Sequence, residues 1–181
     1  MSPPLPSFTL DGVLPPGDYV LTFSDLRASL LVSGPGSGQN PWDATWRHTL
    51  IGLCEALVQQ LWAEGVTEVY LDGSFVEDKA HPNDIDGYFV CDALDLTDLQ
   101  RRLNARDPYQ CWTWDSRSRT FDPNSAKYQL PMWHFYRTEL YPHFGQFSGI
   151  RGPTGYPLTF PDAFRQRRGE GLVKGILRIV P

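Results

Sequence analysis

Leu71-Asp72-Gly73-Ser74-Phe75-Val76 and, eight residues on, Asp84-Ile85-Asp86-Gly87-Tyr88-Phe89-Val90 decide how this sequence folds. The first stretch ends an apolar run in Gly-Ser. The second opens an apolar run with two carboxylates one residue apart. Side chains at i and i+2 of a strand face the same way, with Cα atoms about 6–7 Å apart, so Asp84 and Asp86 point to one face. Two acids so placed repel each other unless a cation lies between them, and hard oxygen donors suit magnesium or calcium. Gly73 and Ser74 at a strand end offer backbone N–H groups and a hydroxyl to a phosphate. The pair of stretches reads as a metal-nucleotide site.

Upstream, Asp43 caps a helix carrying Trp46, Leu50, Leu53, Cys54, Leu57, Leu61 and Trp62 at three- and four-residue spacing, the pattern of a helix packed on a sheet. Gly65 ends it, and Val66 leads into Val69-Tyr70-Leu71. Helix, turn, strand, Gly-Ser, loop and strand with Asp-x-Asp make an α/β (α+β) order. His48 on this helix reads as a surface side chain. Nearer the start, residues 1–17 form an extended Pro-rich segment and Tyr19–Phe23 a short extended piece. A helix capped by Ser24 runs through Leu31 and stops before the Gly/Pro loop at 34–41.

Downstream, Asp95 or Thr97 caps a helix through Leu99, Leu103 and Ala105, with Arg101, Arg102 and Arg106 as a solvated basic face. Tyr109–Trp114 is a short strand or a loop beneath the site. Met132–Tyr136 reads as a strand whose start Pro131 confines to a sheet edge or bulge. Tyr141–Pro161 reads as a long ordered loop across the mouth of a cleft, followed by a short helix from Pro161-Asp162. Gly175–Val180 is the last strand.

At 181 residues, 41% hydrophobic and 20% charged, the chain 1–181 fits one domain with its own core. A net charge of −5 argues against non-specific coating of DNA, but leaves room for a local basic patch. Cys54, Cys91 and Cys111 lack CxxC or Cys/His spacing, which speaks against a disulfide framework or a zinc site. No apolar run approaches the ~18 residues of a membrane span, and no signal peptide is visible. Cytoplasmic residence and no membrane partner are expected.

An isolated Asp-x-Asp is most often a capped turn, here with Asn83-Asp84. A haloacid-dehalogenase-type phosphatase needs an apolar strand directly before its nucleophile, where this chain has Ala80-His81-Pro82-Asn83. A serine hydrolase needs a G-x-S-x-G elbow that Ser74 lacks. Leu71-Asp72-Gly73-Ser74 through Asp84-Ile85-Asp86 instead resembles the Gly-Ser…Asp-x-Asp signature of the DNA polymerase β-like nucleotidyltransferase superfamily. With Leu14-Pro15-Pro16-Gly17, Gly73-Ser74-Phe75-Val76, Lys79, Pro82-Asn83-Asp84-Ile85-Asp86-Gly87 and Lys174-Gly175-Ile176, the chain is similar to a group of uncharacterised bacterial nucleotidyltransferase-like proteins.

That resemblance implies a two-layer fold, a mixed twisted sheet with helices mainly on one face. It implies magnesium-dependent transfer of a nucleoside monophosphate from a nucleoside triphosphate to a hydroxyl of a small molecule, an RNA end or a protein. Gly73 and Ser74 would hold the triphosphate, with Lys79 as a further phosphate partner or a solvated loop charge. Asp84 and Asp86 would bind two magnesium ions. Gly87 stands where the superfamily usually has an apolar residue. A third acid belongs on a later strand, where the Met132–Tyr136 reading puts His134, and imidazole is a poor magnesium ligand. Either His134 tunes the site, or Glu139, Asp115 or Asp122 supplies the acid. A third alternative is a non-catalytic nucleotide- or partner-binding module, for example of a toxin–antitoxin or phage-defence pair.

Overall fold

The structure, a computed structural model, describes residues 4–35 and 41–181. Residues 1–3 of the Pro-rich segment and 36–40 of the expected Gly/Pro loop lie outside the described residues.

Strand β1 (Asp18–Leu21) runs into helix α1 (Phe23–Arg27) and then α2 (Leu30–Ser33). The expected single helix from a Ser24 cap is therefore two short ones. Thr22 is the actual cap: its hydroxyl accepts from Asp25 N at 3.1 Å while the Asp25 carboxylate accepts from Thr22 N at 3.2 Å, a reciprocal capping box. Ser29 ends the first helix by donating to Leu26 O at 2.7 Å and starts the second by accepting from Leu31 N at 3.3 Å. A serine that bonds its own backbone neighbours competes with helix continuation.

Helix α3 (Ala44–Ala63) is capped by Asp43, which accepts from Trp46 N at 2.9 Å. Gly65 follows its end at φ +83°, the left-handed exit glycine allows. Strands β2 (Val69–Asp72) and β3 (Ile85–Val90) and helix α4 (Leu96–Arg106) come next. The basic side chains of α4 pair with Asp98 and Glu64, a solvated ion-pair face. Tyr109–Trp114 holds no strand, and its Trp112 is fully buried.

After the hairpin β4 (Thr120–Asp122) and β5 (Lys127–Gln129), Pro131–Tyr136 is helix α5, not a strand. Pro131 occupies the first helical turn, where a missing N–H costs nothing. Met132, Trp133 and Tyr136 bury the inner side of the helix, so packing overrides aromatic β-propensity. Arg137, left-handed at φ +48°, turns the chain into β6 (Thr138–His143). The region expected as a long loop is ordered as the end of β6 and a hairpin of β7 (Phe147–Arg151) and β8 (Pro157–Thr159). An irregular register between Phe147 and Arg151, with Gly149 at φ +82°, interrupts the alternation by which a strand is recognised. Helix α6 (Phe160–Phe164) and strand β9 (Ile176–Ile179) complete the chain.

The main sheet has the order β1-β9-β2-β3-β6. It is mixed: β1/β9 and β3/β6 are parallel, β9/β2 and β2/β3 antiparallel. One face carries Leu71, Ile85, Phe89, Leu140, Leu177 and Ile179 into a core with Leu26, Leu31, Leu57, Leu103 and Met132 of α1–α5. Alternation sends the intervening residues to the other face, where Tyr88 and Ile176 pack with Phe160 of α6. Gly87 sits in the crowded middle of this sheet: a Cβ there would lie 2.2 Å from Tyr70 O and 2.9 Å from a Leu140 methyl. Among the described residues no helix is long and apolar enough to cross a membrane.

Candidate functional site

Sheet register brings together what the sequence separates. Asp72 on β2 lies opposite Asp86 on β3, and Asp86 lies opposite Glu139 on β6. Directly paired residues have Cα atoms about 4.5–5.5 Å apart, so three carboxylates form one row across three strands on the face turned from α1–α5. Asp84, two residues before Asp86, shares that face at the strand's entrance. One step inward the acids give way to Tyr70, Tyr88 and Tyr141, with Tyr70 and Tyr88 stacked at 4.8 Å.

The four acids sit in unlike surroundings. Asp72 is 2% exposed, and its Oδ1 lies 3.2 Å from Lys174 Nζ without hydrogen-bond alignment. Burial, outweighing that lysine, pushes the Asp72 carboxyl up to about 7. Lys174 also donates to Glu77 Oε1 at 2.6 Å and to Gly73 O at 3.2 Å. At the other end, Glu139 Oε1 accepts from Leu130 N at 2.9 Å and Arg119 Nη1 at 3.3 Å, and Oε2 accepts from the Tyr141 hydroxyl.

Asp84 Oδ2 accepts from the indole N–H of Trp133 at 2.7 Å; burial still pushes its carboxyl up, helped by the charge of Glu139. The Asp86 carboxylate, in the middle, makes no hydrogen bond or ion pair among the described residues. Burial, then the charges of Asp84, Glu139 and Asp72, push it well above the usual carboxylate range. Both ends of the row are compensated by an internal cation and the middle is not.

The turn Gly73–Val76 closes over this middle. Gly73 has φ +76°, and a Cβ on it would meet Asp86 Oδ2 at 2.5 Å, so the acid rests against bare backbone. Arg47 of α3 locks the turn and the loop after it. Fully buried, it donates to Leu31 O at 2.7 Å, Phe75 O at 2.8 Å, Glu77 O at 3.3 Å and Lys79 O at 2.7 Å. Its guanidinium lies 4.1 Å from the ring of Trp42 and 4.9 Å from that of Phe75. Burial pulls its pKa down to about 9, which leaves it charged at neutral pH. The sequence holds one sign of this: an arginine three residues before Leu50, on the buried side of an apolar helix.

Gly73, Ser74, Lys79, Asp84 and Asp86 all line one cleft of about 970 Å³, together with Asp72, Glu139 and Lys174. Lys79, Lys127 and Arg168 stand exposed on its rim, while Ile150, Pro153, Leu158, Phe160 and Phe164 give it an apolar wall. His134 is not part of the cleft. Its Nε2 lies 2.7 Å from Thr120 Oγ1 on the outer side of α5, because Met132–Tyr136 is helical. Asp115 pairs with Arg117 and Asp122 accepts from Ser125 N at 2.7 Å, both outside the cleft lining. Of the acids weighed for the third position, Glu139 joins the row.

An all-oxygen donor set, an unpartnered Asp86 and a glycine-floored cradle fit a hard divalent cation. Among the described residues no three acid, His or Cys side chains already surround a single metal position; both Glu139 oxygens are engaged by protein donors.

A family model described as a family of unknown function (DUF6932) matches residues 6–180. The chain belongs to this family. Every residue of the acidic row lies inside the DUF6932 match, as do Gly73, Ser74 and Lys174. No curated protein and no solved structure matches the chain.

Proposed function

We propose that this DUF6932 protein is a magnesium-dependent nucleotidyltransferase, moving a nucleoside monophosphate from a nucleoside triphosphate to an acceptor hydroxyl and releasing pyrophosphate. The observation that carries the reading is the row Asp72–Asp86–Glu139 with its centre uncompensated against Gly73. Asp84, Asp86 and Glu139 would hold the metal, which when bound neutralises phosphate charge and favours in-line attack.

The chain's own groups do the rest. Gly73 and Ser74 present backbone N–H groups and a hydroxyl to the phosphates. Lys79 and Arg168 add charge from the rim, and the Ile150–Leu158 wall takes the base by apolar contact. The acceptor oxygen bonds to the α-phosphorus as the bond to pyrophosphate breaks, and its proton passes to a carboxylate of the row.

Incubating wild type and Asp86→Asn with each α-labelled triphosphate, magnesium and fractionated cell extract tests this. Label should move to an acceptor fraction with wild type only; absence of transfer in every fraction would falsify the enzyme reading. A second reading, nucleotide binding without transfer, draws on the Arg119 and Tyr141 contacts that occupy Glu139. It predicts saturable nucleotide binding with no labelled product.

A further inference from the structure

The two cations that end the acidic row are held differently. Lys174 is 3% exposed and bound to Asp72, Glu77 and Gly73 O, a buried tie between β9's lead-in and the Gly-Ser turn. Arg119 enters from the segment before β4 with its side chain 28% exposed. It reaches the Glu139 carboxylate with Nη1 alone, at 3.3 Å, and spends its other contacts on Tyr128 O at 3.1 Å and the Tyr141 hydroxyl at 2.9 Å. The parallel two-bond fork that makes arginine–carboxylate pairs strong is not formed. Glu139 does not need Arg119 for its placement, since Leu130 N holds Oε1 at 2.9 Å and strand register sets its place in the row.

We propose that Arg119 is an exchangeable counter-cation. It occupies Glu139 in the metal-free protein, yields that carboxylate when a divalent ion binds, and then grips the phosphates that arrive with the ion. This rests on the magnesium–nucleotide reading of the same cleft.

The physical argument has three parts. A guanidinium beside Glu139 and a divalent ion on Asp86 would be like charges on neighbouring positions of one row, so one displaces the other from the shared carboxylate. A guanidinium suits phosphate oxygens as well as it suits a carboxylate, so the displaced group has a partner in the bound nucleotide. Arg119 also lines the cleft itself, alongside Lys127 and Tyr128, so it already stands at the space the phosphates would enter. Arg119 is thus a counter-charge on Glu139 and a phosphate contact by turns.

The prediction is a change of sign that a merely structural arginine would not produce. Manganese(II) binding to the full chain without nucleotide, followed by calorimetry or by the spin resonance of free ion, should tighten about tenfold in Arg119→Ala. Binding of a non-hydrolysable triphosphate in magnesium should weaken about tenfold in the same variant. Arg119→Lys should fall between wild type and Arg119→Ala in both, and Arg119→Ala with Glu139→Gln should lose the gain in manganese affinity. If Arg119→Ala does not fold, Arg119→Met, which keeps the aliphatic stem, serves the same comparison. Manganese affinity unchanged or weakened in these variants, while wild type binds the ion through Asp86, would overturn the role of Arg119 and leave the metal reading standing. Wild type that binds no manganese, or binds it equally in Asp86→Asn, would overturn both.

Discussion

The two faces of the central sheet obey opposite rules. Toward α1–α5, the strands present Leu71, Ile85, Phe89 and Leu140 to a closed apolar core. Toward the cleft, the residues one position away are Asp72, Asp86 and Glu139, side by side. A single-residue step along a strand therefore separates the part of the molecule that stabilises the fold from a part that strains it. Buried acid is present on the helix side too, and the contrast between the two acids is instructive. Asp107, 3% exposed, accepts from Cys111 N at 2.8 Å, from the Tyr136 hydroxyl at 2.5 Å and from the Gln60 amide at 3.3 Å. The Asp86 carboxylate accepts from nothing among the described residues. Burial alone raises a carboxyl, and donors aimed at its oxygens bring it down again; the helix side supplies the donors and the cleft side withholds them.

The largest expected effect breaks the cleft side alone. On the proposed transferase reading, Asp86→Asn should reduce transfer on the order of 10³-fold, since a metal's stabilisation of transition-state charge is several kcal/mol. The same variant should be more heat-stable than wild type at pH 8, by a few degrees, at about 2–4 °C per kcal/mol for a chain of this size. Because the folded value of Asp86 is raised, its stabilising contribution is fully present below the unfolded value near 4 and is lost as pH rises through the folded value. The gain from asparagine should therefore appear at pH 8 and vanish near pH 4; melting curves at both values decide it.

Next in size is the strut between the two sides. Arg47→Met would leave the carbonyls of Leu31, Phe75 and Lys79 without their donor, with a cost of roughly 3–5 kcal/mol, at about 1–3 kcal/mol for each buried acceptor left unpaired. Urea unfolding measures it, and a loss below 1 kcal/mol would mean that water replaces the arginine. Gly73→Ala forces a Cβ to within 2.5 Å of Asp86 Oδ2 at a left-handed φ. It should lower stability by about 1–3 kcal/mol and weaken manganese binding more than Arg47→Met does.

Asp107→Asn is the mirror of the first test and smaller, at about 1–2 kcal/mol. Although burial pushes Asp107 up, the Cys111 N–H and the Tyr136 hydroxyl hold it below the usual range. Its contribution is present above the unfolded value near 4 and lost as pH falls through the folded value. The substitution should hence destabilise at pH 7 and cost less near pH 2, opposite in sense to Asp86→Asn. If both variants shift the same way with pH, the contrast between the faces is wrong. The smallest effect belongs to His134→Ala, within about 0.5 kcal/mol of wild type and without change in transfer, because its ring faces Thr120 rather than the cleft.

Those positions also mark what could be read locally. Asp43 as a cap, Gly65 as an exit and Val69-Tyr70-Leu71 as a strand follow from neighbours within a turn or two, and all three hold, the strand extending one residue further to Asp72. Gly73, Ser74, Lys79, Asp84 and Asp86 were readable together because one short stretch carries them to one cleft. Met132–Tyr136 reads as a strand because its aromatic run has strand-like composition, while Pro131 and three buried side chains make it a helix. Arg47 escapes a local reading because a charged residue on an apolar stripe has no meaning until the carbonyls it serves are brought beside it.

By itself, then, the sequence determined that Asp84 and Asp86 share a face and that Gly73-Ser74 ends a strand, since i and i+2 on a strand and the φ freedom of glycine are properties of adjacent residues. Only the tertiary structure decided that the third member of the row is Glu139. That choice depends on the parallel register of β6 against β3, set by packing across more than fifty residues of intervening chain, and no local pattern encodes which acid a distant strand will lay beside Asp86.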